Sequence, residues 1–196
     1  MMNSTFDKME FCVEHSNSHD DRSFDKTITC LGDHNWRVRY AAAIALGDRK
    51  DPKAVDALIR TLKKESQEPL FSQPALEGGA HAGSNIPFSV IFPEGTTEGT
   101  KEAWRRRGRL IQAICLALGN IGASSPAALE MLHFYAADQK CDYSVRAAAC
   151  KALGQIASPE SLPVLQKAVG DEEWCTSCEA KKAVESINSI HPRILL

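Results

Sequence analysis

An internal repeat is the feature of this sequence that most constrains its fold. Residues 38–47, with the sequence VRYAAAIALG, match residues 145–154, VRAAACKALG, at an offset of 107 positions. The same offset aligns Pro52 with Pro159, so the register is kept beyond the first ten residues. Similarity that keeps one register over two successive segments predicts a stack of equivalent structural units.

The repeated segment is predicted to be an amphipathic helix. Two weaker copies begin at Leu110 and Thr176, so four copies of this first helix are expected. In the copies that begin at Leu110 and Val145, apolar residues recur at steps 0, 3, 4, 7, 8 and 11, which is one face of an α-helix. Arg49, Thr176 and Glu179 interrupt the pattern, and the less apolar last copy fits a terminal unit that faces water.

Glycine and proline mark the boundaries within each unit. A glycine near the end of the first helix is predicted to close it, since glycine readily takes the left-handed conformation. These glycines are Gly47, Gly119 and Gly154. A capping residue and a proline then start a second helix. These pairs are Asp51-Pro52, Ser125-Pro126 and Ser158-Pro159. The unit is therefore a helix pair, which can bury its apolar faces only against its neighbours.

Aromatic residues and a further helix pair extend the pattern. Trp36, Tyr143 and Trp174 each lie two residues before the first position of a copy, at Val38, Val145 and Thr176. This recurrence predicts that they pack between units. Upstream, a second helix is predicted to carry Phe24, Ile28 and Leu31, and residues 5–16 are its predicted partner, with Phe6, Met9 and Val13 on the apolar face.

A long insertion separates the first two clear copies. Residues 66–103 contain four prolines and five glycines, which exclude a helix of useful length. Within the insertion, Ile86, Phe88, Val90 and Phe92 alternate with other residues and predict a short strand or an extended apolar segment. The insertion is expected either to clamp a partner or to cover one edge of the stack, and both alternatives stay open.

These motifs resemble the HEAT-like repeats of the phycobilisome-lyase type. The resemblance rests on the segment from Asp33 to Gly47 and its echo from Tyr143 to Gly154, and it covers residues 20–65 and 104–190. It implies an all-α fold, a right-handed α-solenoid of about four HEAT-like helix pairs with one long non-helical insertion. It also implies that the arginine after the first valine, Arg39 or Arg146, braces neighbouring repeats. Ile111 and Ser177 depart from this pattern.

The chain is accordingly expected to divide into five segments. These are an N-terminal capping segment 1–20, repeats over 21–65, the insertion 66–103, repeats over 104–190 and a C-terminal tail 191–196.

Composition and charge narrow the classes of function. The chain has 23 basic and 25 acidic residues and a formal net charge of −2, which gives no overall attraction to nucleic acid or anionic membranes. No apolar run is long enough to span a bilayer, and the N-terminus lacks the pattern of a signal peptide. Seven cysteines, an odd number, predict reduced thiols and a cytoplasmic protein.

No motif for catalysis or cofactor binding is found in the sequence. Cys175 and Cys178 form a single Cys-x-x-Cys pair, and zinc needs four ligands, so a packing role is favoured over a metal site. The sequence contains no His-Glu-x-x-His, Gly-x-Ser-x-Gly or phosphate-binding loop. We therefore expect no catalytic residue, no metal and no cofactor.

The leading hypothesis is a protein-binding scaffold or adaptor. Its partner, another protein, is expected to contact the second helices on the concave face of the stack, together with the insertion. The residues expected at this contact are Asp56, Arg60, Lys63, Glu130, His133, Gln166, Phe88, Phe92, Arg105 and Arg109.

Two alternatives stay open. The family resemblance implies a helper or subunit for the attachment or removal of a tetrapyrrole (bilin) chromophore. The basic run Arg105–Arg109 allows nucleic-acid binding, which ranks lower because a short charge run in a nearly neutral chain is usually a solvated helix start.

Overall fold

The computed structural model describes residues 4–18, 20–67, 75–77, 89–91, 94–139 and 141–192. Nine α-helices lie within these ranges. They are α1 (Thr5–Glu14), α2 (Asp21–Cys30), α3 (Trp36–Arg49), α4 (Val55–Gln67), α5 (Glu98–Ile121), α6 (Pro126–Ala137), α7 (Tyr143–Ile156), α8 (Leu162–Ala168) and α9 (Trp174–Ile190). Two short 3-10 turns, Pro52–Ala54 and Pro159–Ser161, lead into α4 and α8.

The helices form two stacked layers. The first helices α1, α3, α5, α7 and α9 pack on one another in that order, and the second helices α4, α6 and α8 form the other layer. The long side chains of Leu46, Leu118, Leu132 and Leu153 are fully buried in the common core. Four consecutive helix pairs followed by α9 confirm the predicted all-α solenoid.

Two short strands lie between α4 and α5. Strand β1 (Ala75–Glu77) pairs antiparallel with β2 (Ser89–Ile91), with Leu76 opposite Val90. β2 falls within the stretch 86–92 that was expected to be extended. Helices α4 and α5 reach past the limits expected for the insertion, to Gln67 and back to Glu98.

The predicted helix ends at Gly47, Gly119 and Gly154 are wrong. Each first helix continues for two residues beyond its glycine, and the left-handed residue that follows is Lys50 (φ 54°), Gly122 (φ 72°) or Ala157 (φ 56°). Close approach of the neighbouring helix explains the three glycines instead. A Cβ at Gly47 would lie 2.7 Å from the Cα of Ala117, one at Gly119 2.7 Å from the Cα of Ala152, and one at Gly154 2.8 Å from the Cα of Ala183.

The predicted starts of the second helices are present at all three prolines. The side chain of Ser125 accepts a hydrogen bond from the backbone N–H of Ala128, and that of Asp51 accepts one from Lys53. Ser158 makes no such bond with its side chain. Proline at the first position fits because that residue's N–H has no partner within the helix.

The N-terminal helix pair forms, but α1 buries only part of the face expected, since Met9 packs against the core and Phe6 and Val13 do not. In α2, Phe24 and Leu31 are buried as predicted. In α1, Cys12 is fully buried, whereas Phe6 and Val13 are 70% and 68% exposed. The physical reason is that α1 ends the stack, since in the described structure it packs mainly against α3 and buries only a narrow stripe.

The recurring aromatic residues take the same structural position without the same role. Trp36, Tyr143 and Trp174 are the first residues of α3, α7 and α9. Trp36 and Tyr143 are half-buried, but Trp174 is 55% exposed. A packing role between units is therefore wrong for Trp174, because no neighbouring helix of the described structure covers its ring.

A buried ion pair fixes α7 to the loop before α9. Arg146 donates from Nε to Oδ2 of Asp171 at 2.9 Å and from Nη2 to Oδ1 at 3.0 Å. Its Nη1 donates to the backbone carbonyl of Cys141. Burial pushes the pKa of Asp171 up, but hydrogen bonds from Arg146, the N–H of Glu173 and Gln139 hold that pKa below its usual range. The equivalent Arg39 donates to the carboxylate of Glu65 at 3.1 Å.

Two glycines on one helix test the close contact. We expect Gly119→Ala to lower the free energy of unfolding by about 1–3 kcal/mol, because its Cβ would overlap the backbone of Ala152. Gly108→Ala is the matched control on α5. Its Cβ would meet only atoms at 3.9 and 4.0 Å, so the better helix propensity of alanine should raise stability by about 0.5–1 kcal/mol. Urea unfolding measures both, and equal effects would contradict the assignment.

Removal of the buried guanidinium tests the ion pair. The side chains of Arg146 and Asp171 are 4% and 1% exposed, so Arg146→Ala leaves a buried carboxylate without its counter-charge. We expect a loss of about 3–5 kcal/mol in the free energy of unfolding. Lys181→Ala, on the exposed face of α9, should stay within about 0.5 kcal/mol of the wild type. Denaturant unfolding followed by circular dichroism distinguishes the two, and a loss for Arg146→Ala as small as the control's would contradict the role of the pair.

Candidate partner-binding surfaces

Most of the contact residues expected on the second helices are exposed. Asp56, Arg60 and Lys63 lie on the exposed side of α4, Glu130 on that of α6, and Gln166 on that of α8. Since α6 packs between α4 and α8, the three helices present their exposed sides on one layer of the stack. These residues therefore remain a candidate surface, referred to below as the second-helix surface.

His133 differs from the other expected contact residues. Its Nε2 lies 2.9 Å from Oγ of Ser161, which is fully buried in the turn before α8. Burial lowers the pKa of His133, although the nearby Glu160 acts in the opposite direction. The neutral ring is thus used to join α6 to the next turn, which leaves it half-buried rather than available at the surface.

Of the contact residues expected in the insertion and in the basic run, the structure describes only those in the basic run. Phe88 and Phe92 lie outside the described residues. Arg105 and Arg109 are exposed on the N-terminal half of α5. In the same half, Lys101 pairs with Glu98 at 2.7 Å. Helix α5 has 24 residues, ten more than α3 or α7, so its first three turns extend the first-helix layer at one end.

A second exposed surface lies on the first helices and was missed by the sequence analysis. It occupies steps 2, 6 and 10 of the copies on α3 and α5, and steps 6 and 10 of the copy on α7, where step 2 is the buried Ala147. The exposed members are Ile44 and Asp48 on α3 and Lys151 and Gln155 on α7, and the half-buried members are Tyr40 on α3 and Gln112, Leu116 and Asn120 on α5. We call this set the first-helix surface. The sequence pattern that could have predicted this surface is that the residues at these three steps differ from copy to copy, while the apolar steps are repeated.

The first-helix surface combines apolar and polar groups. Ile44 is 40% exposed, and with Leu116 it lines a groove of about 160 Å³ between α3 and α5. On the next pair, Nε2 of Gln155 donates to Oδ1 of Asn120 at 2.9 Å, and Lys151 is exposed. This mixture of an apolar centre and a polar border is typical of surfaces that bind other proteins.

A larger cleft opens beside the extended N-terminal half of α5. Its volume is about 810 Å³. The start of α3 supplies Trp36 and Arg37, the end of α4 supplies Lys64, and the N-terminal half of α5 supplies Trp104 and Arg106. These residues could not be grouped from the sequence, because they come from three separate segments. A tryptophan directly before the arginine run, at Trp104, was the available signal.

The buried cysteines of α5 and α7, Cys115 and Cys150, are not suited to act as nucleophiles. Burial raises the pKa of the Cys115 and Cys150 thiols to about 12, which keeps both thiols neutral near pH 7. Cys175 and Cys178 are half-buried at the start of α9.

Within the described ranges, no three His, Cys, Asp or Glu side chains are grouped as metal ligands. Nor does any helix in those ranges have the length and apolar character to cross a bilayer.

Comparison with known proteins identifies the repeat family. A family model described as HEAT repeats matches residues 15–72 and 133–193, more than half of the chain. The bilin biosynthesis protein PecF of Mastigocladus laminosus is 27% identical over 153 residues, which are 74% of this chain and 70% of that protein. These two matches confirm the family resemblance seen in the repeat motifs.

Two solved structures are similar over almost the whole chain. The crystal structure of an engineered protein is 17% identical and covers 96% of this chain and 76% of its own, with a TM-score of 0.48. Human deoxyhypusine hydroxylase in complex with glycerol is 20% identical and covers 95% of this chain and 81% of its own, with a TM-score of 0.33.

Proposed function

Because the chain belongs to the HEAT-repeat family, we propose that it is a non-catalytic scaffold that binds another protein along its stacked first helices. The observation that carries the proposal is the first-helix surface, a row of varied, exposed or half-buried side chains on a tightly packed layer. A rigid layer loses little conformational freedom on binding, which favours affinity.

The unequal spacing of the two layers favours the first helices as the concave side. Successive first helices approach until glycine meets the backbone of alanine. The second helices pack less closely on one another, and their buried side chains include the larger Leu62, Leu132 and Leu165. A stack with one narrow layer and one wide layer bends toward the narrow one. On this proposal the first helices line the concave face, in place of the second helices expected from the sequence.

The partner is expected to cover an apolar centre with polar edges. Ile44 and Leu116 provide apolar area that a partner can bury, at about 25 cal/mol per Å². Lys151 and Gln155 on α7 and Asp48 on α3 provide charge and hydrogen bonds around that centre. The insertion remains a second proposed contact.

Paired variants on the two layers test the proposal. Proteins captured from the native source would be quantified by mass spectrometry for the wild type, for Ile44→Glu with Lys151→Glu, and for Arg60→Glu with Glu130→Lys. We expect the first pair of changes to reduce capture on the order of tenfold or more, because central interface residues often contribute 2 kcal/mol or more. The second pair, on the second-helix surface, should leave capture unchanged.

Two outcomes of that experiment would count against the proposal. If only the second pair reduced capture, the partner would bind the second-helix surface. If neither pair did, although both variants show wild-type circular dichroism and thermal midpoints, the scaffold role along the helices would be contradicted.

A bilin-related role is the second candidate. It is supported by the similarity to a protein that is named as a bilin biosynthesis protein. On this hypothesis, the purified protein should show visible absorbance from a co-purified chromophore, or a shifted bilin spectrum on titration with free bilin. An unchanged bilin spectrum when the protein is in excess would contradict the bilin-related role without affecting the scaffold proposal.

A further inference from the structure

The cleft beside the extended half of α5 is lined by an excess of positive charge. Five cationic side chains and two carboxylates face it. The cationic residues are Arg37, Arg39, Lys64, Arg106 and Arg107. The positive N-terminal end of α3, which starts at Trp36, also lies at this cleft. The cleft is therefore suited to an anionic ligand.

Both carboxylates of the cleft are already engaged. Oδ2 of Asp33 accepts from Nζ of Lys8 at 2.6 Å, and this bond holds the pKa of Asp33 below its usual range. Oε1 of Glu65 accepts from Nη2 of Arg39 at 3.1 Å. The side chains of Asp33 and Glu65 are only 8% and 11% exposed, so these pairs are part of the cleft wall.

The remaining cations are placed toward solvent. Arg37 and Lys64 are exposed, and within the described part of the chain neither forms an ion pair with a carboxylate. Nε of Arg106 lies 2.9 Å from Oε1 of Glu102, but both side chains are over a third exposed, so this pair is weak and can be exchanged for a ligand carboxylate.

Two indole rings give the cleft an apolar component. Trp36 and Trp104 both line it and both are half-buried. The guanidinium of Arg37 lies over the ring of Trp36, with Cζ 5.4 Å from the ring centroid, which keeps a positive group beside an apolar surface. A ligand that fits both features carries carboxylates next to apolar side chains.

We propose that this cleft binds a short acidic segment of the protein partner. Arg37, Lys64 and Arg106 contact its carboxylates, and Trp36 and Trp104 contact its apolar side chains. This inference rests on the proposed scaffold function and names the chemistry of one contact. A peptide is favoured over nucleic acid, because the cationic groups are confined to one cleft in a chain with a net charge of −2, whereas nucleic acid requires a longer basic track.

Two positions on α4 provide the test and its matched control. Lys64 lines the cleft, whereas Arg60, one helical turn earlier, lies outside it. The probe is a fluorescein-labelled ten-residue peptide of alternating Glu and Leu, followed by fluorescence anisotropy with the full chain. We expect Lys64→Glu to weaken binding by about tenfold or more, and Arg60→Glu, with the same change in net charge, to alter it less than about twofold.

Control ligands decide whether the inference stands. A peptide with Gln in place of Glu should bind at least about tenfold more weakly, since the carboxylates are the recognised groups. Equal loss with Lys64→Glu and Arg60→Glu, equal binding of the Gln peptide, or tighter binding of an oligo-dT ten-mer that depends on Lys64 would each overturn the acidic-segment site.

The same variant separates this inference from the scaffold proposal. If Lys64→Glu captures the native partner as the wild type does, while the Ile44 and Lys151 changes abolish capture, the cleft inference fails and the scaffold stands. If the labelled peptide binds as expected but no first-helix change affects capture, the proposed binding of a partner along the first-helix surface is contradicted and the cleft inference stands.

Discussion

Backbone contact between successive first helices sets the spacing on which the other features of the stack depend. Gly47, Gly119 and Gly154 each face an alanine of the next first helix at a distance that leaves no room for a Cβ. The first helices also pack more closely on one another than the second helices do. The groove between α3 and α5 lies on this closely packed layer, and the proposed bend of the stack rests on the same difference.

Ion pairs of Arg146 and Arg39 join the starts of two first helices to later segments of the chain. Arg146 reaches Asp171 in the loop before α9, and Arg39 reaches Glu65 near the end of α4. Each pair joins the start of a first helix to a segment 25 or 26 residues further along the chain. Buried charges of this kind are costly unless they are paired, so the pairing restricts how successive units can be arranged.

The extended N-terminal half of α5 adds a site that a regular repeat would lack. It places Trp104 and Arg106 beside Trp36 and Lys64, so that one cleft contains indole rings and cationic groups together. The first-helix surface and this cleft are separate regions with different chemistry, one partly apolar and the other basic. If the proposed scaffold uses both regions, they can bind two features of the same partner, which increases affinity beyond that of either alone.

The sequence by itself determined the repeat, the helix pairs, the proline-marked starts of the second helices and the all-α solenoid. These features depend on residues close together in the chain, such as Ser125 and Pro126, or on apolar periodicity within one helix. Tertiary structure alone decided the role of Gly119, the exposure of Trp174, the partner of His133 and the assembly of the cleft. Each depends on which atoms of a distant segment lie within a few ångströms, and a local pattern does not contain that distance.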